Sequence, residues 1–280
     1  MKRYRILPFF DFDMRCMLLS EPIKEEWAEQ VKAMHWQNRE NTIKYLKAEY
    51  GELLADVKIQ NFIDLGPKPI SVIAFHNTFF SQVRNAFVVE AYYPALTGVC
   101  ALGERILNHL VLSLRENFKT SPEYKKVYRK DSFDDWSLAI ETLDAWDVLL
   151  PKAAKDFRVL MKKRHQAIHF RPEIDMNARE LALEAIKCMQ GIISEQFSGF
   201  GSQPWFITGV PGEIYIKREW ESNPFIRLIY LKNGLLVGPR HKIESFQPQI
   251  QILDPDHLKP GSDISDDEFV SLRKTFNNSE

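Results

Sequence analysis

The spacing of apolar positions divides the chain into a long helical stretch and a shorter region of strand character. Ile23, Trp27, Val31 and Met34 recur at three- and four-residue intervals, the period of one helix face. Pro22 suits a first turn and Gly51 is placed to stop the run, so residues 21–50 read as one helix. The following "VKIQNFIDLGPKPISVIAF" is punctuated by Gly66, Pro67 and Pro69 and reads as a connector with at most a short strand. The strongest helical signal runs from about Thr78 to Phe118, where Leu96, Val99, Gly103, Ile106, Leu110 and Leu114 form one stripe. Pro94 is expected to divide or kink it, since it removes a backbone donor.

"KTSPEYKKVYRKDS" has no apolar period and reads as a loop or frayed helix. Helical spacing returns over 134–149, over 151–170 with Pro172 forcing an end, and over 177–196. Then the period changes. "EIYIKREW", "FIRLIYLKNGLLVG" and "PQIQIL" are rich in β-branched and aromatic residues, and Asn233-Gly234 has the composition of a hairpin turn. The acidic, polar end with "SDISDDEF" reads as loosely held. The expected fold is mainly α, a helical bundle with a small C-terminal antiparallel β region. Residues 1–74 form an N-terminal helical extension, 75–200 the bundle, and 201–280 a β-hairpin appendage with an acidic tail, dispensable for the helical fold.

Composition adds little to this picture. With 45% apolar and 27% charged residues the chain can build a sizeable core. A formal charge of −1 confines any basic surface to a local patch. The three cysteines, Cys16, Cys100 and Cys188, are isolated, which suits a reducing compartment and excludes a Cys-x-x-Cys motif. No apolar run approaches the roughly 20 residues of a membrane span, and "MKRYRILPFFDFDMRC" lacks the apolar stretch of a signal peptide. The expectation is a cytoplasmic protein with no membrane partner.

The chemistry concentrates in 151–170. At 100° per residue, Phe157, Leu160, Met161, Ala167 and Ile168 share one arc, while Lys155, Arg158, Lys162, His165 and His169 form a basic stripe beside it. Arg164 breaks the pattern, lying within about 20° of Phe157 in the apolar arc. A guanidinium there needs a buried anionic partner, an interface that stays wet, or a path by which its stem can snorkel outward. His169 falls in the last turn before Pro172, where the partial negative charge of the helix end favours imidazolium. Such a residue is either a cap or a general acid–base group titrating near neutrality. Glu104 borders the apolar stripe of its own helix; its partner is either Arg164 or a surface cation. In "HQAIH" two histidines share a helix face, but Gln166 stands where a metalloprotease needs its glutamate, and no third ligand is suggested by spacing. Neither a metal nor another cofactor is expected.

"RHQAIH", Arg164 through His169, at the end of a helix and before a turn and another helix, resembles the signature of the HEPN superfamily. The upstream "AYYPALTGVCALGERILNHLVL" is similar to the long helix of such domains, and the resemblance covers roughly residues 75–200. It implies an all-α domain that dimerises, bringing two copies of the motif to one cleft, and metal-independent endoribonuclease activity. Arg164 matches the family arginine and His169 its histidine, with His165 as an orienting residue and Glu104 in support. The two motif residues point about 140° apart on an ideal helix, a mismatch that a two-fold partner relieves.

RNA supplies its own 2′-hydroxyl nucleophile. Histidine would move the proton and the guanidinium would neutralise the phosphate, leaving a 2′,3′-cyclic phosphate and a 5′-hydroxyl. Lys155, Arg158 and Lys162 are the expected phosphate contacts. Tyr124 and Tyr128 in "EYKKVYRK" are candidates for base stacking, or part of an ordinary solvated loop. By analogy the role would be a toxin or antiviral effector, with a protein regulator or antitoxin as a further partner. The competing reading is a non-catalytic module of the same shape that binds nucleotides or a partner protein.

Overall fold

The strongest apolar stripe becomes the centre of the helical unit. The computed structural model describes residues 1–7, 11–168, 177–200, 203–246, 249–256 and 264–278. The chain forms two compact units, Met1–Phe9 with Ser198–Glu280, and Phe10–Phe197. It is mainly helical, with small antiparallel sheets in the first of these units.

The helical unit holds α1 (Arg15–Ser20), α2 (Glu29–Tyr50), α3 (Ala55–Leu65), α4 (Ala74–Val88), α5 (Tyr92–Leu114), the single-turn α6 (Tyr124–Val127), α7 (Trp136–Ala145), α8 (Pro151–Ile168) and α9 (Ala178–Gln196). Helix α5 packs against α4, α7, α8 and α9. Val99, Ile106, Leu110 and Leu114 on its stripe are fully buried. Tyr92–Phe118 is long and apolar enough by length and composition to cross a membrane, although no apolar run of that length was expected. Just over half of its most apolar window is covered within the fold, 56%. Pro94 sits in the first turn of α5, and the break before it falls at Glu90, with φ +66°.

The N-terminal expectations need correction. Residues 22–28 lie outside any helix; α2 starts at Glu29, and the short α1 precedes Pro22. The supposed connector contains α3, whose Phe62 and Leu65 are buried, and Gly66 ends that helix at φ +69°. Its Gly and Pro residues follow a helix instead of preventing one. Helices α1–α4 belong to the same unit as the bundle, so 1–74 is no separate extension.

In the other unit, β1 (Arg3–Ile6) pairs antiparallel with β2 (Gly234–Val237), Arg3 opposite Val237 and Ile6 opposite Gly234. Tyr215 bridges to Arg5 along the other edge of β1. A second pair, β3 (Lys242–Ser245) and β4 (Gln251–Leu253), is bulged between Ile243 and Ser245. Asn233-Gly234 is not a hairpin turn: Gly234 has φ −109°, whereas the tight hairpin turn requires positive φ at both central residues. "FIRLI" is helical, α10 (Pro224–Ile229), because Asn223 accepts from the amides of Phe225 and Ile226 and Pro224 occupies the first turn. The described part of the acidic tail is helical. It forms α11 (Asp266–Asn277), with Ser265 accepting from the Glu268 amide at 3.1 Å, three acids in its first turn and Phe269 buried. The sheet therefore draws its first strand from the N-terminus, and the region 201–280 is not a self-contained hairpin appendage.

Candidate functional site

Three helices of the helical unit meet at one polar cluster. Trp136 opens α7, whose N-cap Asp135 accepts from the Leu138 amide at 3.1 Å. Asn108 on α5 fixes the approach to that helix, accepting from the Phe133 amide at 2.6 Å and donating to its carbonyl at 2.9 Å. Gly103, one position before Glu104, makes the close approach possible. A Cβ there would stand 2.6 Å from the Trp136 ring and 2.9 Å from Leu160 Cδ2. The indole thus lies against α5 with its Nε1 donating to Glu104 Oε2 at 3.1 Å.

Arg164 reaches the same carboxylate from α8. Its Nη2 is 2.9 Å from Glu104 Oε2, and the guanidinium carbon is 5.8 Å from the centroid of the Trp136 ring. The cation is held by a charge partner at one edge and an aromatic face beside it. The side chain keeps 19% exposure, so the group is immobilised without being sealed. Of the two partners left open for Glu104, the structure supplies Arg164, and an arginine on the apolar arc is satisfied within one chain.

The arc itself is as the angles predict. Phe157, Leu160 and Ala167 are buried, and Met161 is half-buried, its sulfur taking a contact from Ser137 Oγ at 3.4 Å. The stripe beside it, Lys155, Arg158, Lys162 and His165, is exposed along its length. Arg158 pairs with Asp144 at 2.9 Å. Among the described residues Lys155 and Lys162 have no carboxylate partner. Lys163 pairs with Glu184 on α9. His169 and Pro172 lie outside the described residues, as does the side chain of Ile168. The sequence-selected cluster is thus assembled at Arg164 and Glu104, with His165 on the open face.

Trp136 was missed by reading α8 alone. Its signal was the step from "DSFDD" into an apolar helix, an acidic N-cap followed by a large aromatic. The basic loop holds α6, with Val127 fully buried and Arg115 donating to the carbonyls of Val127 and Lys130. Tyr124 and Tyr128 stack on each other at 5.6 Å, and Arg129 covers the Tyr128 ring at 5.0 Å. Burial disfavours the thiolate form of the cysteines, pushing Cys100 up to about 12 and Cys188 to about 11, and raising Cys16. Among the described residues no group of three His, Cys, Asp or Glu side chains is placed to hold a metal ion.

No protein-family model matches the sequence, and no curated protein or solved structure is significantly similar to it.

Proposed function

We propose that the chain is a metal-independent endoribonuclease of HEPN type, with Arg164 and His169 as the reacting pair and the exposed face of α8 as the RNA track. The observation that carries this reading is the guanidinium of Arg164, pinned by Glu104 and Trp136 yet partly exposed, in the "RHQAIH" stretch. A cation held in advance stabilises developing phosphate charge without reorganising during the reaction. His169 moves the proton between the 2′-hydroxyl and the leaving 5′-oxygen, and His165 orients the site. Lys155 and Lys162 hold the backbone, Arg158 once Asp144 releases it, and the Tyr124–Tyr128 pair presents a stacking surface. The working form is a homodimer with two motifs at one cleft, as the resemblance implies. A protein regulator or antitoxin is the partner that such an activity requires in a cell. Purified protein incubated with mixed RNA in EDTA tests the reading. Cleavage that His169→Ala abolishes supports it, and undiminished cleavage by that variant overturns it.

A second reading is a non-catalytic helical module that binds a nucleotide or partner protein. It is favoured by the same ion pair, since Glu104 satisfies Arg164 with no phosphate present. Sharply weaker RNA binding by Lys162→Ala, with no cleavage by wild type, selects it.

A further inference from the structure

The turn between α2 and α3 holds apolar side chains in solvent. Leu53 is 80% exposed and Leu54 56%, with Val57 41% exposed in the first turn of α3. Leu54 is fixed at φ +55°, ψ +35°, the left-handed region that a bulky side chain seldom adopts. A single exposed leucine is ordinary, but a pair on one turn with a valine beside it forms an apolar patch. Acids flank the pair. Glu52 and Asp56 are exposed, and among the described residues neither has a cation partner. Lys58 donates instead to the Tyr50 carbonyl at 2.7 Å. This charge opposes docking on an anionic lipid surface and favours an apolar socket with a cation at its edge.

A socket of that kind lies in the same unit. Helices α4 and α5 leave an open groove of about 340 Å³, lined by Phe79, Val83 and Ala86 of α4 and by Pro94, Leu102 and Arg105 of α5. Arg105 is exposed, lies over the Phe79 ring at 5.0 Å, and has no carboxylate partner among the described residues. The turn and the groove border the same part of α4. Tyr50, just before the turn, donates to Asn85 Oδ1 at 3.0 Å, and the next residue, Ala86, lines the groove. Val89 and Tyr93, 43% and 58% exposed, carry apolar surface on from there. A patch with a projection and a socket side by side is self-complementary, as contact about a two-fold axis requires.

We propose that two copies of the chain pair through this surface, Leu53 and Leu54 of each seating in the α4–α5 groove of the other and Glu52 and Asp56 meeting Arg105. Arg105 adjoins Glu104 on α5, so the contact runs beside the Arg164 cluster. It names a surface for the homodimer proposed above but requires no reaction at Arg164.

Sedimentation of the full chain at micromolar concentration tests it, with RNA cleavage measured alongside. Wild type is expected to be a dimer. Leu53→Asp, at a position too exposed to support the fold, should weaken dimerisation at least about tenfold. Arg105→Glu should do the same, and adding Glu52→Arg and Asp56→Arg to it should restore the dimer. Leu53→Cys mixed with Gln82→Cys, a second groove position, should give an oxidised cross-link that neither variant gives alone. A monomeric wild type, a dimer that Leu53→Asp leaves intact, or no cross-link specific to the mixture would each overturn the proposal. So would monomer binding to phosphatidylserine vesicles that Leu53→Asp abolishes, which would assign the leucines to a lipid surface. An intact dimer without cleavage counts against the ribonuclease reading alone.

Discussion

Two sides of the helical unit treat cations set among apolar residues in opposite ways. Where α5, α7 and α8 meet, Arg164 has Glu104 and Trp136, and Trp136 Nε1 is itself satisfied. Along α4, Arg84 leaves one guanidinium nitrogen unpartnered, and His76, fully buried, leaves Nε2 unpartnered while Nδ1 meets Ser71 Oγ at 3.0 Å. A paired cation presents a fixed charge to whatever approaches its exposed edge. An unpaired one is a buried donor without an acceptor. An arginine among apolar residues is thus completed by its neighbours in one place and left incomplete in the other, although both lie on helix faces turned toward the core.

The largest expected effect breaks the paired side. Arg164→Ala should reduce RNA cleavage by about two orders of magnitude or more, the scale of removing one transition-state donor. Arg84→Gln should leave cleavage within a few-fold of wild type. Equal losses in the two variants, measured by single-turnover cleavage, would erase the distinction.

Acid tests the unpaired side. Burial lowers His76 to about 3 from its ordinary 6.5, with the His109 charge a lesser cause, and lowers His241 of the other unit to about 4. The unfolded chain binds a proton near pH 6.5, and the folded chain does so only near those lower values. Stability is therefore complete above pH 6.5 and falls between 6.5 and 4 as both groups contribute, with His76 alone continuing toward 3. The His76 share is at most about 5 kcal/mol. His76→Gln should flatten the slope of urea-unfolding stability against pH; an unchanged slope would show that His76 is not the group responsible.

Two smaller effects sharpen the contrast. Gly103→Ala should destabilise by about 1–3 kcal/mol through overpacking against Trp136 and Leu160, less the helix-propensity gain of up to ~1 kcal/mol, and thermal melting checks it. The Arg164–Glu104 coupling in a double-mutant cycle with Met and Gln should be about 1 kcal/mol, because Glu104 is 35% exposed and solvent screens the pair. A coupling near zero would leave the cation–aromatic contact as Arg164's principal anchor.

How much of this was legible in the sequence differs between the same two sides. The faces of α8 followed from periodicity, because a regular helix over Pro151–Ile168 translates spacing into angle. That made Arg164 conspicuous and offered Glu104 as a partner. The same reasoning would have found Arg84, which stands between Phe80, Val83 and Phe87 on a buried face, but α4 was merged with α5 into one long helical signal. The other unit was less legible for a different reason. Strand composition was present, but β2 pairs with a strand more than two hundred residues away, and no local pattern encodes that register. The acidic tail carried a readable helix start in "SDDE", a capping box that charge density obscured.

The proposed reaction has Arg164 and His169 act on a phosphodiester attacked by the neighbouring ribose 2′-hydroxyl. The most direct measurement incubates the protein, in chelator, with one oligonucleotide made as RNA and as DNA, and determines the end groups of the products. Cleavage of the RNA alone is expected, with 2′,3′-cyclic phosphate and 5′-hydroxyl ends. Equal cutting of the DNA, 5′-phosphate ends, or intact RNA would contradict it.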